Sequence, residues 1–307
     1  GSGHFSDQWA IQTEGLGLSV MRTPHQEGQR IDVAAIESAL RADTQHRIAA
    51  VMVVQTDTAS GITSDLVAIR EAIDRTGHPA LYVVDVVASL GATTFDMDAL
   101  RADVCLGSSQ KGLMMPPGLG FVAANAKALA WSQQHAKPRY YWSWQERKTD
   151  NQSAKFCGTP PLAHLAGLEV SLGLLKAEGL AAVFARHERL GGAVRAAVNC
   201  WATAGAIKLH CQDPLGFSSS VTAIEVSQGV DPEALRVVAR EKFQVAMAGG
   251  LGPLAGRVFR IGHLGDMNEP MILGALAGIE AAMTVQKIPY GPNGMAAAIA
   301  YLAKHTP

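Results

Sequence analysis

The stretch Leu106–Val122, LGSSQKGLMMPPGLGFV, places one lysine, Lys111, among small and apolar residues, and it contains no other charged residue. A surface lysine ordinarily keeps its charged head in water while its methylene stem lies along the protein. The apolar neighbours of Lys111 favour a drier setting, and a desolvated lysine has a lowered pKa and attacks carbonyl groups. The stretch therefore predicts a reactive amine beside a ligand.

Around this stretch, apolar runs rich in valine and isoleucine alternate with helical patterns. Such runs predict strands buried on both faces of a parallel sheet. Residues 63–77 predict a helix between the first two runs, capped by Ser64 and ended by Gly77. A strand–helix–strand unit of this length is right-handed, so the pattern indicates an α/β fold. The four runs are Ile48–Gln55, Ala80–Val87, Asp103–Ser108 and Leu119–Asn125, and an earlier helix is predicted over Asp32–Asp43.

The second half of the chain has a different pattern. Residues 139–161 are aromatic, polar and irregular, which is typical of a long excursion from the core. The change in pattern predicts a domain boundary near Glu178–Gly179, with a large domain over 1–178 and a small α+β domain over 179–307. The predicted elements are helices over 161–180, 182–203 and 232–243, strands within 218–227 and 257–265, and a final helix beginning near Glu269.

Composition excludes several classes of protein. The 307 residues carry a formal net charge of −1, and the basic residues are scattered, which argues against a nucleic-acid partner. No apolar run reaches the roughly 20 residues that span a bilayer, and no signal-peptide pattern opens the chain. The four cysteines form no C-x-x-C pair and no metal-ligand spacing with histidine. A disulfide framework is not expected in a chain this long with so few cysteines, so a reducing cytoplasm is expected. The cysteines are Cys105, Cys157, Cys200 and Cys211.

Three polar side chains lie at the carboxyl ends of the predicted strands: Asp57 follows the first run, Asp85 interrupts the second near its end, and Lys111 lies just past the third. Ligands of open parallel sheets bind at the carboxyl ends of the strands. Asp85 could equally be a carboxylate that caps a loop, although an acid inside an apolar run is costly without a partner. An aspartate and a lysine on adjacent strand ends are what pyridoxal phosphate needs, for its ring nitrogen and its aldehyde respectively.

Residues 83–122, which contain VVDVVASLG and LGSSQKGLMMPPGLGFV, resemble the core of the class V aminotransferases. The resemblance is to the alanine–glyoxylate and serine–glyoxylate group, and it extends over essentially the whole chain. It implies the type I fold of pyridoxal phosphate enzymes, with a mainly parallel large domain, a small C-terminal domain, and a homodimer with sites at the subunit interface. Its other motifs are TDTASGITSDL, GTPP, AMAGGLGPLAGRVFRIGHLGD and LGALAGIEAAM.

The resemblance assigns cofactor roles to five residues. Lys111 is expected to be the Schiff-base lysine and Asp85 the partner of the pyridinium nitrogen. Val87 is expected to pack under the ring. Gln110 and Thr159 are expected to touch the phosphate, with Thr159 reaching into the partner subunit's site.

Three further positions match the family's pattern. Arg260 is expected to bind the substrate carboxylate bidentately, as a lysine cannot. Phe5 matches the aromatic residue that stacks on the cofactor ring. Thr58 lies where the family places a group near the ring hydroxyl or the substrate. Without the motif, Arg260 would be read as a strand-edge salt bridge and Phe5 as a core aromatic.

Two features depart from the family's pattern. The glycine-rich phosphate loop, which uses the amides of a helix N-terminus, is expected upstream of Phe5, so the large domain is expected to lack the family's N-terminal part. GSGH at the start resembles that loop in composition but fits the later aromatic segment better. Phe156 stands where the family often has a phosphate-binding tyrosine. The loss of that hydrogen bond is either tolerated or points to a non-phosphorylated pyridoxal-type substrate.

The leading hypothesis is therefore transamination of serine or alanine with glyoxylate or pyruvate as acceptor, through ping-pong kinetics. A pyridoxamine–pyruvate or ureidoglycine–glyoxylate aminotransferase is the alternative within the family. A desulfurase-type lyase needs a mobile nucleophilic cysteine, and Cys157 is the one candidate near the site. A truncated, non-catalytic relative that keeps the fold as a binding dimer is the alternative from another class.

Overall fold

The first half of the chain is built around three parallel strands. The computed structural model describes residues 1–135 and 139–306. β1 (Ala50–Val54) pairs with β4 (Leu81–Asp85), and β4 pairs with β5 (Val104–Ser108). β6 (Gly120–Ala124) runs antiparallel to β5, so its prediction as a parallel strand was wrong. The link over 109–119 is too short for the crossover that parallel neighbours require.

The remaining elements follow in chain order. The other strands are β2 (Thr56–Asp57), β3 (Ile62–Thr63), β7 (Ile207–Leu209), β8 (Val221–Val226), β9 (Ala248–Gly249) and β10 (Val258–Gly262). The helices are α1 (His4–Gly15), α2 (Val33–Ala42), α3 (Leu66–Thr76), α4 (Met97–Leu100), α5 (Ala126–Gln134), α6 (Trp144–Arg147), α7 (Gln152–Lys155), α8 (Leu162–Glu178), α9 (Leu180–Trp201), α10 (Pro232–Phe243), α11 (Glu269–Val285) and α12 (Gly294–Lys304).

The predicted helix between β1 and β4 forms as α3, but its cap differs from the prediction. Asp65 is the N-cap, and its carboxylate accepts a hydrogen bond from the N–H of Ala68 at 3.0 Å. The hydroxyl of Ser64 instead donates to the carbonyl of Val54 at 2.9 Å, which ties the start of α3 to β1. Gly77 ends the helix in the left-handed region, with φ 63°, as predicted.

The second half forms an antiparallel sheet in the order β7-β8-β10-β9, packed against long helices. Trp201 of α9 and Phe259 of β10 belong to the large apolar cluster of this half. Glu269 begins α11 as predicted, but α12 follows, so the prediction of a final helix there was wrong. The sequence of α12 is rich in alanine, so its apolar face is hard to recognise by periodicity. That face includes Ala298 and Leu302, which are buried.

The irregular segment over 139–161 contains only short helices, α6 and α7, and its Trp142 is largely exposed. Across the described part of the chain, every helix falls short of the combined length and hydropathy needed to cross a membrane. The junction of α8 and α9 lies at Gly179, with φ 86°, which is where the sequence predicts the domain boundary.

His263 lies fully buried directly after β10. Its Nδ1 lies 3.0 Å from the carbonyl oxygen of Ser219, to which it donates, and its Nε2 lies 3.0 Å from the hydroxyl of Thr222, which donates to Nε2 when the ring is neutral. Burial lowers the pKa of His263 from 6.5 to about 3. Between these values the unfolded chain binds one more proton than the folded chain, so stability is lost as the pH falls through this window.

We expect the free energy of unfolding to decrease from pH 6.5 towards pH 3, with His263 contributing roughly 1.4 kcal/mol per pH unit. Urea unfolding at several pH values should show a shallower dependence in His263→Gln, which has no titrating ring. The exposed His25 provides the control, because His25→Gln should leave the slope unchanged. Equal slopes in His263→Gln and the parent chain would contradict the assignment.

Candidate active site

Asp85 is the last residue of β4, and the strand register sets it between Val54 of β1 and Leu106 of β5. Its Oδ1 accepts a hydrogen bond from the N–H of Val87 at 2.7 Å, and no described residue donates to Oδ2. Burial raises the pKa of Asp85, the negative charge of Asp57 adds to this, and the N–H of Val87 opposes it. A cation placed beside Oδ2 would reverse that shift and keep the carboxylate ionised.

Lys111 follows β5 by three residues and is half-buried. Burial lowers the pKa of Lys111, and the positive charge of Arg260 lowers it further. Within the described ranges, no carboxylate forms an ion pair with its ammonium group that would restore the charged form. The structure shows Lys111 as a half-buried amine with a lowered pKa, and a neutral amine is nucleophilic towards carbonyls.

Two glycines determine where the Lys111 loop can lie. A Cβ built on Gly112 would collide with the carbonyl oxygen of Leu90 and lie 2.7 Å from the carbonyl carbon of Gly91. The loops that follow β4 and β5 therefore meet backbone to backbone, which only glycine permits. Gly91 has φ 74°, which L side chains rarely adopt. This contact holds the chain on both sides of the Asp85–Lys111 region.

The far side of the Lys111 loop is closed by hydrogen bonds. The hydroxyl of Ser109 donates to the carbonyl of Pro116 at 2.8 Å, and the N–H of Met115 donates to the carbonyl of Ser109 at 3.1 Å. The N–H of Met114 donates to the carbonyl of Lys111 at 2.9 Å. These bonds make residues 109–116 a compact loop, so Lys111 projects from a fixed backbone.

Arg260 lies on β10 and is only 9% exposed. Its Nε donates to the carbonyl of Gly249 and its Nη1 to the carbonyl of Thr58, both at 2.7 Å. Among the described residues, no acceptor takes a hydrogen bond from Nη2, and none of the ion pairs includes this arginine. The alternative of a strand-edge salt bridge is therefore wrong. A guanidinium held by carbonyls keeps its charge for an incoming carboxylate.

Phe5, Thr58 and Val87 lie around the same edge of the sheet. Val87 is half-buried just after Asp85, and Thr58 is buried in the turn after β2. Phe5 is 40% exposed, so its interpretation as a core aromatic is wrong. Its backbone N–H donates to the Asp57 carboxylate at 2.8 Å, which brings the start of α1 to the end of β2.

In the described part of the chain, Gln110 and Thr159 do not contact the cluster of Lys111, Asp85 and Arg260 through hydrogen bonds. Both are exposed, and no hydrogen bond described here joins either of them to Lys111, Asp85 or Arg260. Phe156 is also exposed, on the segment between α7 and α8. Their phosphate-binding roles stay predictions from the resemblance.

Two features of the site were not assigned from the sequence. The Asp57 carboxylate is fully buried and accepts N–H groups from the start of α1, which the sequence did not predict to be helical. The hydroxyl of Ser108, at the end of β5, is buried without a partner in the described chain. The sequence did offer a signal for it: two consecutive serines, Ser108 and Ser109, end an apolar strand shortly before the lysine, which is typical of a strand end that faces a ligand.

One kind of ligand could satisfy all the polar atoms that lack partners at this site. Asp85 offers a free carboxylate oxygen, Lys111 an amine without a counter-ion, and Arg260 a free N–H edge. A ligand with a basic ring nitrogen, an aldehyde and an attached carboxylate-bearing substrate satisfies all three. The residues present therefore fit pyridoxal 5′-phosphate.

Comparisons with known proteins agree with this reading. The family model described as Aminotransferase class-V matches residues 2–254. The chain is 41% identical to a serine–glyoxylate aminotransferase of Methylorubrum extorquens, over 99% of this chain and 76% of that protein. It is 38% identical to an L-aspartate–glyoxylate aminotransferase of Paracoccus denitrificans, over 97% and 74%. Among solved structures, pyridoxamine–pyruvate aminotransferase from Mesorhizobium loti has a TM-score of 0.85 at 28% identity, over 99% and 76%. The predicted family and fold class are confirmed.

We expect Gly112→Ala to lower the free energy of unfolding by about 1–3 kcal/mol, because its methyl group would overlap the backbone at Leu90 and Gly91. Urea unfolding monitored by circular dichroism measures this change. Gly120→Ala is the matched control, since nothing lies within 4 Å of a Cβ built there. Equal stability of the two variants would show that the backbone contact does not constrain the Lys111 loop.

Proposed function

This chain belongs to the class V aminotransferase family, and from that premise we propose that its amino donors are serine or alanine and its acceptors glyoxylate or pyruvate. It catalyses amino acid–glyoxylate transamination, in keeping with relatives that are serine–glyoxylate and L-aspartate–glyoxylate aminotransferases. The observation that carries the proposal is the dry edge of the sheet where Asp85, Lys111 and Arg260 each keep an uncommitted polar group.

The cofactor is pyridoxal 5′-phosphate, which supplies an aldehyde that combines with amines and a ring that accepts electrons from the substrate carbon. We assign the ring nitrogen to Oδ2 of Asp85 and the aldehyde to Nζ of Lys111. The carboxylate of Asp85 gains a cationic partner in this way, which offsets the cost of its burial.

Lys111 has two tasks in this proposal. Its lowered pKa favours the neutral amine, which is the form that combines with an aldehyde. With the cofactor bound, Nζ of Lys111 would hold and move a proton between the substrate α-carbon and the cofactor carbon, a role that its lowered pKa favours. The closed loop over 109–116 keeps Nζ within reach for both tasks.

Arg260 serves both half-reactions. The amino donor and the oxo-acid acceptor each carry a carboxylate next to the reacting carbon, so one guanidinium can orient both in turn. Ping-pong kinetics follow from this sharing of one site. The hydrogen bonds from Nε and Nη1 to backbone carbonyls fix the plane of the guanidinium without neutralising its charge.

The remaining cofactor roles are proposed from the resemblance and from position. Phe5 would stack on the ring, Val87 would pack under it, and Thr58 would lie near the ring hydroxyl or the substrate. Gln110 binds the phosphate of its own site, and Thr159 binds the phosphate in the partner subunit's site. The exposure of Thr159 in a single chain is consistent with a role across an interface.

The proposed assembly is a homodimer with sites at the subunit interface, in the cytoplasm. The proposed division gives a cofactor domain over 1–178 and a small domain over 179–307. Exposed Tyr140 and Trp142, on the same irregular segment as Thr159, support the interface proposal. Large apolar side chains left in water mark surfaces that a partner covers.

A second candidate donor is pyridoxamine, with pyruvate as acceptor. Phe156, which removes a tyrosine hydroxyl from the expected phosphate contacts, favours it. The likeness to the pyridoxamine–pyruvate aminotransferase structure adds support. A free pyridoxamine substrate would occupy the place beside Asp85 and Lys111 that the first candidate gives to the cofactor, so the two candidates differ in donor and in the need for a separately bound cofactor.

We expect the protein supplied with pyridoxal 5′-phosphate to form hydroxypyruvate from serine and glyoxylate. Lys111→Ala should lower kcat by roughly 10²–10⁴-fold, the usual range for loss of a general acid–base group. Arg260→Lys should raise KM for both substrates about 10- to 100-fold, since it loses a bidentate charged contact of about 1.5–3 kcal/mol.

Lys127→Ala is the control, because Lys127 pairs with Asp103 away from the site and its loss should leave kcat unchanged. Turnover of pyridoxamine with pyruvate, and none of serine, would establish the second candidate in place of the first. Absence of turnover with every amino donor would overturn transamination itself.

A further inference from the structure

One tight turn, residues 57–61, lies between β2 and β3, and we call it the Asp57 turn. The N–H of Gly61 donates to the carbonyl of Asp57 at 2.8 Å, and the N–H of Ala59 donates to the Asp57 carboxylate at 3.0 Å. Each of its residues is buried. The turn is thus a rigid, water-free unit, and it contacts two other parts of the chain.

The first contact is with the start of α1. Oδ2 of Asp57 accepts hydrogen bonds from the N–H groups of Phe5 at 2.8 Å and Ser6 at 3.2 Å. A Cβ on Gly3 would lie 2.7 Å from the Asp57 carboxyl carbon, so glycine at the N-cap makes the approach possible. The first N–H groups of a helix lack partners within it and favour a negative charge. Asp57 therefore caps α1 from 52 residues away.

Apolar packing does little to anchor α1. None of its 12 residues is buried, and its Ile11 is about half exposed. Apolar packing therefore contributes little to the position of this helix, since such packing scales with the surface removed from water. The two bonds to Asp57 are the hydrogen bonds that tie the first turn of α1, which includes Phe5, to a distant part of the described chain, and the His4 ring of the same turn lies against Gly252.

The second contact is with Arg260. Its Nη1 donates to the carbonyl of Thr58 at 2.7 Å. Gly61, with φ 69°, approaches β8 so closely that a Cβ would lie 3.1 Å from the backbone nitrogen of Ala223. Ala223 is the register partner of Arg260 across β8 and β10. One turn thus touches both the arginine and the strand beside it.

We propose that Asp57 is a positioning residue that holds Phe5 and Arg260 in one fixed relation. Its carboxylate fixes the start of α1, and the turn that it closes fixes the carbonyl on which Arg260 rests. Asp57 acts through these neighbours and is not assigned to any reacting atom. The proposal rests on the proposed function for the roles of Phe5 and Arg260, whereas the anchoring of α1 stands on the contacts alone.

The first test is amide hydrogen exchange of the full chain without cofactor, read by mass spectrometry on peptides from α1. Asp57→Asn places an NH₂ group where the carboxylate faces backbone N–H groups, so part of the cap is lost. We expect exchange of the Phe5 and Ser6 amides to accelerate at least tenfold. Gly3→Ala, which displaces the carboxylate by a methyl group, should do the same if Asp57→Asn folds poorly.

Asp32→Asn is the matched control. Asp32 caps α2 through the N–H of Ala35 and lies outside the site, so its variant should change exchange in α2 and leave α1 untouched. Unchanged α1 exchange in both Asp57→Asn and Gly3→Ala would overturn the anchoring, whatever the activity of the protein.

The second test uses the protein loaded with pyridoxal 5′-phosphate. Asp57→Asn should lower kcat/KM for serine at least tenfold, raise KM, and alter the circular dichroism of the bound cofactor. Combined with Phe5→Ala, the loss should be less than the product of the two single losses, because Asp57 acts through Phe5. Losses that multiply, or an Asp57→Asn enzyme with parent kinetics, would overturn the positioning role. Inactivity of the parent protein would instead count against the proposed function.

Discussion

The backbone contact between Gly91 and Gly112 is the constraint on which the site depends. It fixes the loops after β4 and β5 against each other, so the acid of one strand end and the amine of the next share one dry edge. Desolvation by burial then raises the pKa of Asp85 and lowers that of Lys111. Each group is thereby kept in a form that gains from binding a ligand.

The other half of the chain contributes one residue, Arg260, and holds it with carbonyl groups. A carboxylate partner would bind the guanidinium more strongly but would compete with the substrate. Hydrogen bonds to Gly249 and Thr58 orient the side chain and leave its charge uncompensated by contact. Because Thr58 belongs to the turn that Asp57 closes, the arginine and the start of α1 share one support.

The sequence allowed much of this arrangement to be predicted, because local patterns carried it. Apolar runs that contain valine predicted β1, β4 and β5, and Gly77 predicted the end of α3. Lys111 and Asp85 were candidates because each is a charged residue in an apolar setting, whereas Arg260 was a candidate only through the family motif, and the roles of all three stay predictions.

The cap of α1 could not be predicted because it depends on a distant partner, Asp57, 52 residues further along. The direction of β6 was missed for another reason: an apolar run indicates a strand but not its direction, which here follows from the short link over 109–119. The phosphate-binding roles of Gln110 and Thr159 stay predictions, because they involve a cofactor and, for Thr159, a partner subunit that a single chain does not contain. The most direct measurement of the central claim is borohydride reduction of the protein loaded with pyridoxal 5′-phosphate, followed by peptide mapping. The account predicts a pyridoxyl label on Lys111 alone; a label on another lysine, or no label, would contradict it.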